Sequence, residues 1–266
     1  MSGSRSELEE SNTQFIEAWK GFARALPSGA VEELPGLVAA ITHTPMPLLN
    51  MILVSSPLRD LADLERRARV AVERGAKSGV PWLFSLCEDW VPADPDSVRE
   101  TLAKVGLRPE LRTTGMVADA LSPPRREAAG VELRPVADAE TREAVADLNC
   151  VCYGMPLSWG RVSVAREEFW VDGSFGQVGY VDGRPVTTAT TVAVDGRLYL
   201  AFVATAPDHR KKGLAEAVIR RSLEVAGQAT GLHRMVLHAT DLGRPVYARM
   251  GYRDVAGFTW YALPAA

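Results

Sequence analysis

The stretch Arg210-Lys211-Lys212-Gly213-Leu214-Ala215 places three cations and a glycine between an apolar run, Leu198 to Thr205, and a helical pattern. The first turn of a helix leaves backbone N–H groups without partners, and they carry partial positive charge. A phosphate can accept them. A glycine lets it approach closely, because no Cβ stands in the way, and the three side chains add formal charge. Taken alone, a basic triplet is often a solvated face and a glycine at such a junction often only a turn. The loop is not that of the Walker nucleotide-binding proteins, since no G-x-x-x-x-G-K-[ST] occurs, nor a dinucleotide fingerprint, since G-x-G-x-x-G is absent. The chemistry it offers is a cradle for pyrophosphate.

Around this loop the residue pattern predicts a meander of strands, Gln177 to Val181, Val186 to Val194 and Leu198 to Thr205, with Asp182-Gly183 and Asp195-Gly196 as turns. A helix is predicted over Leu214 to Thr230, stopped by Gly231. A strand over Met235 to Ala239, a short helix over Pro245 to Met250 and a strand over Phe258 to Leu263 complete an α/β (α+β) fold, helices flanking a mixed sheet. The N-terminal half repeats the order: a strand at Leu48 to Val54, a helix at Leu58 to Gly75, a strand at Trp82 to Cys87, a helix at Ser97 to Val105 and a strand at Thr114 to Ala118. The two short helices end alike, in Val105-Gly106-Leu107 and Met250-Gly251-Tyr252, each with a glycine where a helix end favours the left-handed region. An internal duplication is therefore expected. The Pro- and charge-bearing stretch 123–130 is the expected linker between domains 1–122 and 131–266.

Residues 131–263 resemble the GCN5-related N-acetyltransferase (GNAT) family. Its acyl-CoA loop reads [RQ]-x-x-G-x-[GA], filled here by Arg210, Gly213 and Ala215. Its downstream pattern N-x-x-A-x-x-x-Y-x-x-x-G-[FY] is met by Tyr247, Gly251 and Tyr252, with Thr240 in place of asparagine and Gly243 in place of alanine. The resemblance implies acetyl-CoA or another acyl-CoA as co-substrate. The backbone of Val203 and Thr205 would pair with the pantetheine arm like an added strand. Amides from Lys211 through Lys212, Gly213 and Leu214 to Ala215, with the basic side chains, would hold the pyrophosphate. Thr240 would keep part of the asparagine's polar contact, and Tyr247 would sit beside the thioester sulfur. The segment holding Tyr153, Met155 and Trp159 falls where the family's first helical hairpin covers the acceptor. The N-terminal half resembles a degenerate copy: Ser55-Ser56-Pro57-Leu58-Arg59-Asp60 stands in the phosphate loop's place with no glycine and one base, and Leu102 stands in that of Tyr247. In layout such tandems are similar to glycine N-acyltransferases and mycothiol synthase.

The implied reaction is attack of an amine on a thioester. An alkyl amine with a pKa near ~10.4 is neutral in only about one molecule in a thousand at pH 7, so supplying the neutral form is worth on the order of 4–5 kcal/mol. His238 is one candidate base, a buried structural histidine being the other reading; Glu167 and Glu168 are further candidates, with a solvated helix surface as their alternative. A backbone N–H, that of Val203 for instance, can stabilise the oxyanion, and Tyr247 can protonate the departing sulfur.

Composition narrows the function classes. A net charge of -3 and a pI near 5.9 argue against nucleic acid or an anionic membrane as partner. No apolar run is long enough for a bilayer and the start is polar, so a cytoplasmic protein is expected. Three cysteines and four scattered histidines predict neither a disulfide framework nor a metal site. The reading is an acyl-CoA-dependent N-acyltransferase acting on a small-molecule amine. A protein N-acetyltransferase and a non-catalytic acyl-CoA sensor are the alternatives, and a homodimer is compatible with each.

Overall fold

Phe15, Trp19 and Phe22 recur at helical spacing in α1 (Gly3–Ala25), a helix that the polar start of the chain does not announce. The computed structural model describes residues 3–124, 128 and 130–264, so Arg125, Arg126, Glu127 and Ala129 of the expected linker lie outside the described residues. After α1 come β1 (Ala30–Leu34), β2 (Leu37–Ile41), β3 (Asn50–Val54), α2 (Leu61–Ser78), β4 (Leu83–Cys87), α3 (Pro95–Lys104) and β5 (Arg108–Ala118). Helix α2 starts three residues later than the apolar pattern implies. Asp60 caps it, accepting the Asp63 N–H at 2.8 Å. Asp94 caps α3 in the same way, with Pro95 in its first turn.

The second half runs β6 (Glu132–Pro135), α4 (Ala139–Tyr153), α5 (Leu157–Arg161), β7 (Ser174–Val181), β8 (Arg184–Val194), β9 (Arg197–Thr205), α6 (Leu214–Thr230), β10 (Met235–Thr240), α7 (Arg244–Met250) and β11 (Arg253–Ala262). From β7 onward its order repeats that of β1 to β5. The two helix ends match in detail. The Leu107 N–H donates to the Leu102 carbonyl and the Tyr252 N–H to that of Tyr247, across Gly106 at φ 87° and Gly251 at φ 103°. These six-to-one bonds are the Schellman closure, and the positive φ is why glycine stands at both turns.

The described residues fall into two units. The first takes in the chain up to Met116 with Ala239–Arg244 and the residues from Asp254 on; the second is Val117–His238 with Pro245–Arg253. The C-terminal strand therefore does not follow the expected boundary at 131–266. In the first unit the strand order is β1-β2-β3-β4-β11-β5, with β11 antiparallel to β4 from Phe258↔Cys87 to Tyr261↔Phe84. Phe15 stacks on Trp260 at 5.8 Å and meets Phe258 edge-on at 5.7 Å, fixing α1 to this strand. An alternating pattern shows that a strand exists without naming its neighbour. In the second unit the order is β10-β9-β8-β7-β6. Among the described residues, no helix is long and apolar enough to cross a membrane.

Candidate functional site

The second unit departs from regular pairing at one place. Strands β9 and β10 run parallel and pair at Leu198↔Met235, Tyr199↔Val236 and Leu200↔Leu237. Two residues further, Phe202 has φ 49°, and the β8–β9 register shifts between Thr188↔Ala204 and Thr190↔Ala201. Two residues then face one, which is a β-bulge. It bends β9 just where its ladder with β10 stops, so the edge of β9 that bears Val203 is not part of that ladder.

Polar side chains hold the bulge from within. The Thr188 hydroxyl donates to the Phe202 carbonyl at 2.8 Å, and Asn149 on α4 donates to the same carbonyl at 3.4 Å. Thr187 donates to the Ala204 carbonyl at 3.1 Å. The Phe202 ring packs edge-on against Phe169 at 5.5 Å. None of these supports was singled out from the sequence, although a run of four threonines, Thr187, Thr188, Thr190 and Thr191, in a buried strand is the signal that could have found them. Phe202 gave no signal, since its residue type does not favour positive φ.

The basic loop leads into α6 as the pattern predicts. Gly213 is the N-cap at φ 85° and ψ −3°, and no side chain caps the helix, whereas carboxylates of Asp60, Asp94 and Asp138 cap α2, α3 and α4. Lys211, also at positive φ, and Lys212 are exposed. Leu214 is buried at 4% exposure and Ala215 is half-buried, so the first turn is anchored by one side chain and open along the other. Arg210 folds back: its Nε donates to the Thr205 carbonyl at 3.2 Å and its guanidinium lies 3.8 Å from the Cys152 sulfur. It braces the loop, and of the two expected strand positions Val203 is the less engaged.

Four tyrosines and His238 gather beyond this edge. Tyr199, buried, shares a 2.9 Å hydrogen bond with His238 Nδ1. Removal of water lowers the His238 pKa to about 3, although part of its surface is still accessible; the imidazole is neutral near pH 7. Burial raises the pKa of Tyr247, with the nearby Tyr153 adding to the shift, and burial and the proximity of Tyr247 do the same to Tyr199 and Tyr252. The rings of Tyr247 and Tyr252 meet at 5.9 Å. Tyr153 is 43% exposed at the end of α4, so its ring reaches solvent while its hydroxyl is desolvated. Met155 and Trp159 are half-buried in and just after the turn made by Gly154 at φ 66°. Thr240 lies in the strip assigned to the first unit, where its Oγ1 accepts the Gly243 N–H at 3.3 Å. Glu167 and Glu168 pair with Arg142 and Arg166.

A mixed sheet with a bulged strand that leaves its parallel neighbour, and an uncapped basic helix start directly after that strand, is the arrangement of the GNAT fold. Residues 142–252 match the model of the acetyltransferase (GNAT) family, and this part of the chain is a GNAT domain. The fold is similar to a GCN5-related N-acetyltransferase from Kribbella flavida (TM-score 0.70, 21% identity, 96% of each chain covered). It is also similar to one from Sphaerobacter thermophilus (0.57, 14%, 85% of this chain and 76% of that one). A tandem GNAT protein from the clavulanic acid biosynthesis pathway covers 91% of this chain and 85% of its own at 14% identity and TM-score 0.54. No curated protein matches the sequence.

Proposed function

We propose that the chain is an acyl-CoA-dependent N-acyltransferase, using acetyl-CoA and a small-molecule amine, with one site in its second unit. The observation that carries this is the β9 edge freed by the Phe202 bulge and running straight into the uncapped N-terminus of α6. An extended amide-bearing arm fits the first and a diphosphate the second. When bound, acyl-CoA supplies an activated thioester. The amides from Lys211 to Ala215 hold its phosphates, and a backbone N–H at Val203 stabilises negative charge on the reacting carbonyl oxygen. Tyr247 donates a hydrogen bond to the departing sulfur. His238, too weak a base to capture a proton outright, accepts a hydrogen bond from an amine that enters neutral. Tyr153, Met155 and Trp159 supply an apolar rim for that amine.

The first unit lacks this equipment. In the place of the phosphate loop, the buried Arg67 guanidinium donates to the carbonyls of Gly36, Ser56 and Pro57 at 3.0, 2.9 and 3.2 Å and pairs with Asp63. The helix start is already capped by the Asp60 carboxylate, which repels anions. We read this unit as a degenerate copy that binds no acyl-CoA. The test is thiol release from acetyl-CoA with a panel of amines, alongside calorimetry. Turnover with one CoA equivalent per chain is the expected result. Failure of the protein to bind CoA, or two equivalents per chain, refutes the assignment.

A further inference from the structure

We propose, on the basis of the transferase reading, that Thr188 is a positioning residue for acyl transfer. Its hydroxyl, aimed by Asn149, pins the Phe202 carbonyl and so turns the Val203 N–H toward the reacting thioester. Phe202 and Val203 both fall opposite Ala189, between the pairs Thr188↔Ala204 and Thr190↔Ala201. Two residues facing one leave backbone groups of the bulge outside the regular ladder. Phe202 enters this arrangement with φ at 49°, a region that phenylalanine seldom adopts. Such a conformation persists only where its surroundings over-determine it.

A chain of donors supplies that control. The Asn149 side-chain nitrogen lies 2.8 Å from the Val145 carbonyl and 3.4 Å from that of Phe202. Both carbonyls only accept, so the NH₂ end of the amide faces them. The same nitrogen is 3.4 Å from the Thr188 Oγ1. It has no lone pair to offer, so the hydroxyl accepts there and gives its one hydrogen to the Phe202 carbonyl at 2.8 Å. Thr188 and Asn149 are both buried, and water does not stand in for either. Threonine meets two demands here: its branched Cβ suits a strand, and its hydroxyl is the donor that the bulge lacks. The consequence falls on the next atom of the chain. Among the described residues no peptide bond is cis, so the Val203 N–H points opposite to the Phe202 carbonyl. With that carbonyl drawn toward β8, the N–H faces the edge that β10 has left. A donor fixed in advance need not reorganise as negative charge develops on the reacting oxygen. Without the hydroxyl the peptide plane can rotate, relaxing φ at Phe202 and carrying the N–H away.

The experiment compares Thr188→Val, which keeps the shape and loses the hydroxyl, with Thr188→Ser, which keeps the hydroxyl, in the full chain with acetyl-CoA and an amine. In Thr188→Val, kcat is expected to fall about tenfold to a hundredfold, the effect of a small misplacement. CoA affinity, read by calorimetry, is expected to hold, because the amides from Lys211 to Ala215 are untouched. Thr188→Ser should recover most of the rate. A second readout needs no turnover: the infrared carbonyl band of acetyl-CoA isotope-labelled at its thioester carbon, which a hydrogen bond lowers in frequency. That band should shift down on binding to the parent and to Thr188→Ser, but not to Thr188→Val. An unchanged kcat and an unchanged shift in Thr188→Val overturn the proposal and leave the transferase reading standing. So does an equal loss in Thr188→Ser, which would make the role one of packing. A parent protein that binds no CoA overturns both.

Discussion

Burial, with Tyr153 close by, raises the Tyr247 pKa above that of free tyrosine. The phenol is therefore protonated throughout the physiological range, and a thiolate with a pKa near ~8.5 is too weak a base to remove its proton. Its contribution is a hydrogen bond to the developing negative sulfur. Tyr247→Phe removes that bond without opening a cavity, and kcat should fall by about 10²–10³ while CoA affinity, read by calorimetry, stays the same. Unchanged turnover would show that another group meets the departing sulfur, whereas absence of turnover in the parent chain with CoA still bound would assign it to acyl-CoA sensing. The same logic fixes the pH profile. With its pKa lowered to about 3 by desolvation, His238 does not titrate between pH 5 and 9. The logarithm of kcat/KM should then climb with unit slope toward the pKa of the acceptor amine, because only the neutral amine reacts. A plateau setting in near pH 6.5 and abolished by His238→Gln would make His238 a true base, contrary to its environment here.

At the scale of elements, the two long helices that follow β3 and β9 show how one architecture can hold or refuse a phosphate. Helix α6 begins uncapped behind lysines, whereas α2 begins under Asp60 with Arg67 filling the turn before it. Gly36, at φ 76°, is required there as well, since a Cβ would come within 2.4 Å of the Arg67 guanidinium. The Arg67 bonds lower the Asp63 pKa from 3.8 to about 2. A carboxylate whose folded pKa is depressed adds stability above pH 4, and that stability is lost as pH falls toward 2. Arg67→Ala leaves three carbonyls unanswered and the buried Asp63 carboxylate held only by Arg66 and Arg59, so urea unfolding should show a loss of about 3 kcal/mol, the lower end for a broken buried pair. Arg67→Lys should recover only part of it, because an ammonium lacks the planar fork that reaches these acceptors together. A loss below about 1 kcal/mol would show that the network is ornamental. The sequence revealed the missing glycine of that loop and its single Arg59, but not Arg67. Eleven residues separate Arg67 from Ser56, and nothing in residue type tells a buried arginine from one on a helix surface. For the same reason the Arg210 brace stayed hidden, while Gly213 and the αL glycines at 106 and 251 were legible, their conformation being set locally.

For the whole chain, the limit of sequence order is the last strand. Residue pattern placed a strand at Phe258 to Leu263, which covers only the second half of Arg253–Ala262 and runs one residue past it, and the repeat of elements made it natural to count it with the residues before it. Strand pairing is set by contacts distant in sequence, here Phe258 with Cys87 and Trp260 with Phe15, and these have no local signature. The consequence can be measured. A fragment of residues 3–122, taken from the domain 1–122 that sequence alone delimits, keeps α1 to α3 and β1 to β5 but loses β11 from between β4 and β5. It exposes the apolar faces of Phe15 and Trp19 together with two strand edges that are interior in the intact unit, a state prone to aggregate. That fragment should show no cooperative unfolding transition. Appending residues 253–264 through a flexible linker should restore one, since the missing strand then needs only loop closure, whose entropic cost grows slowly with length. If 3–122 alone melts cooperatively with native-like near-ultraviolet circular dichroism, the first unit is self-sufficient and β11 is an accessory to it.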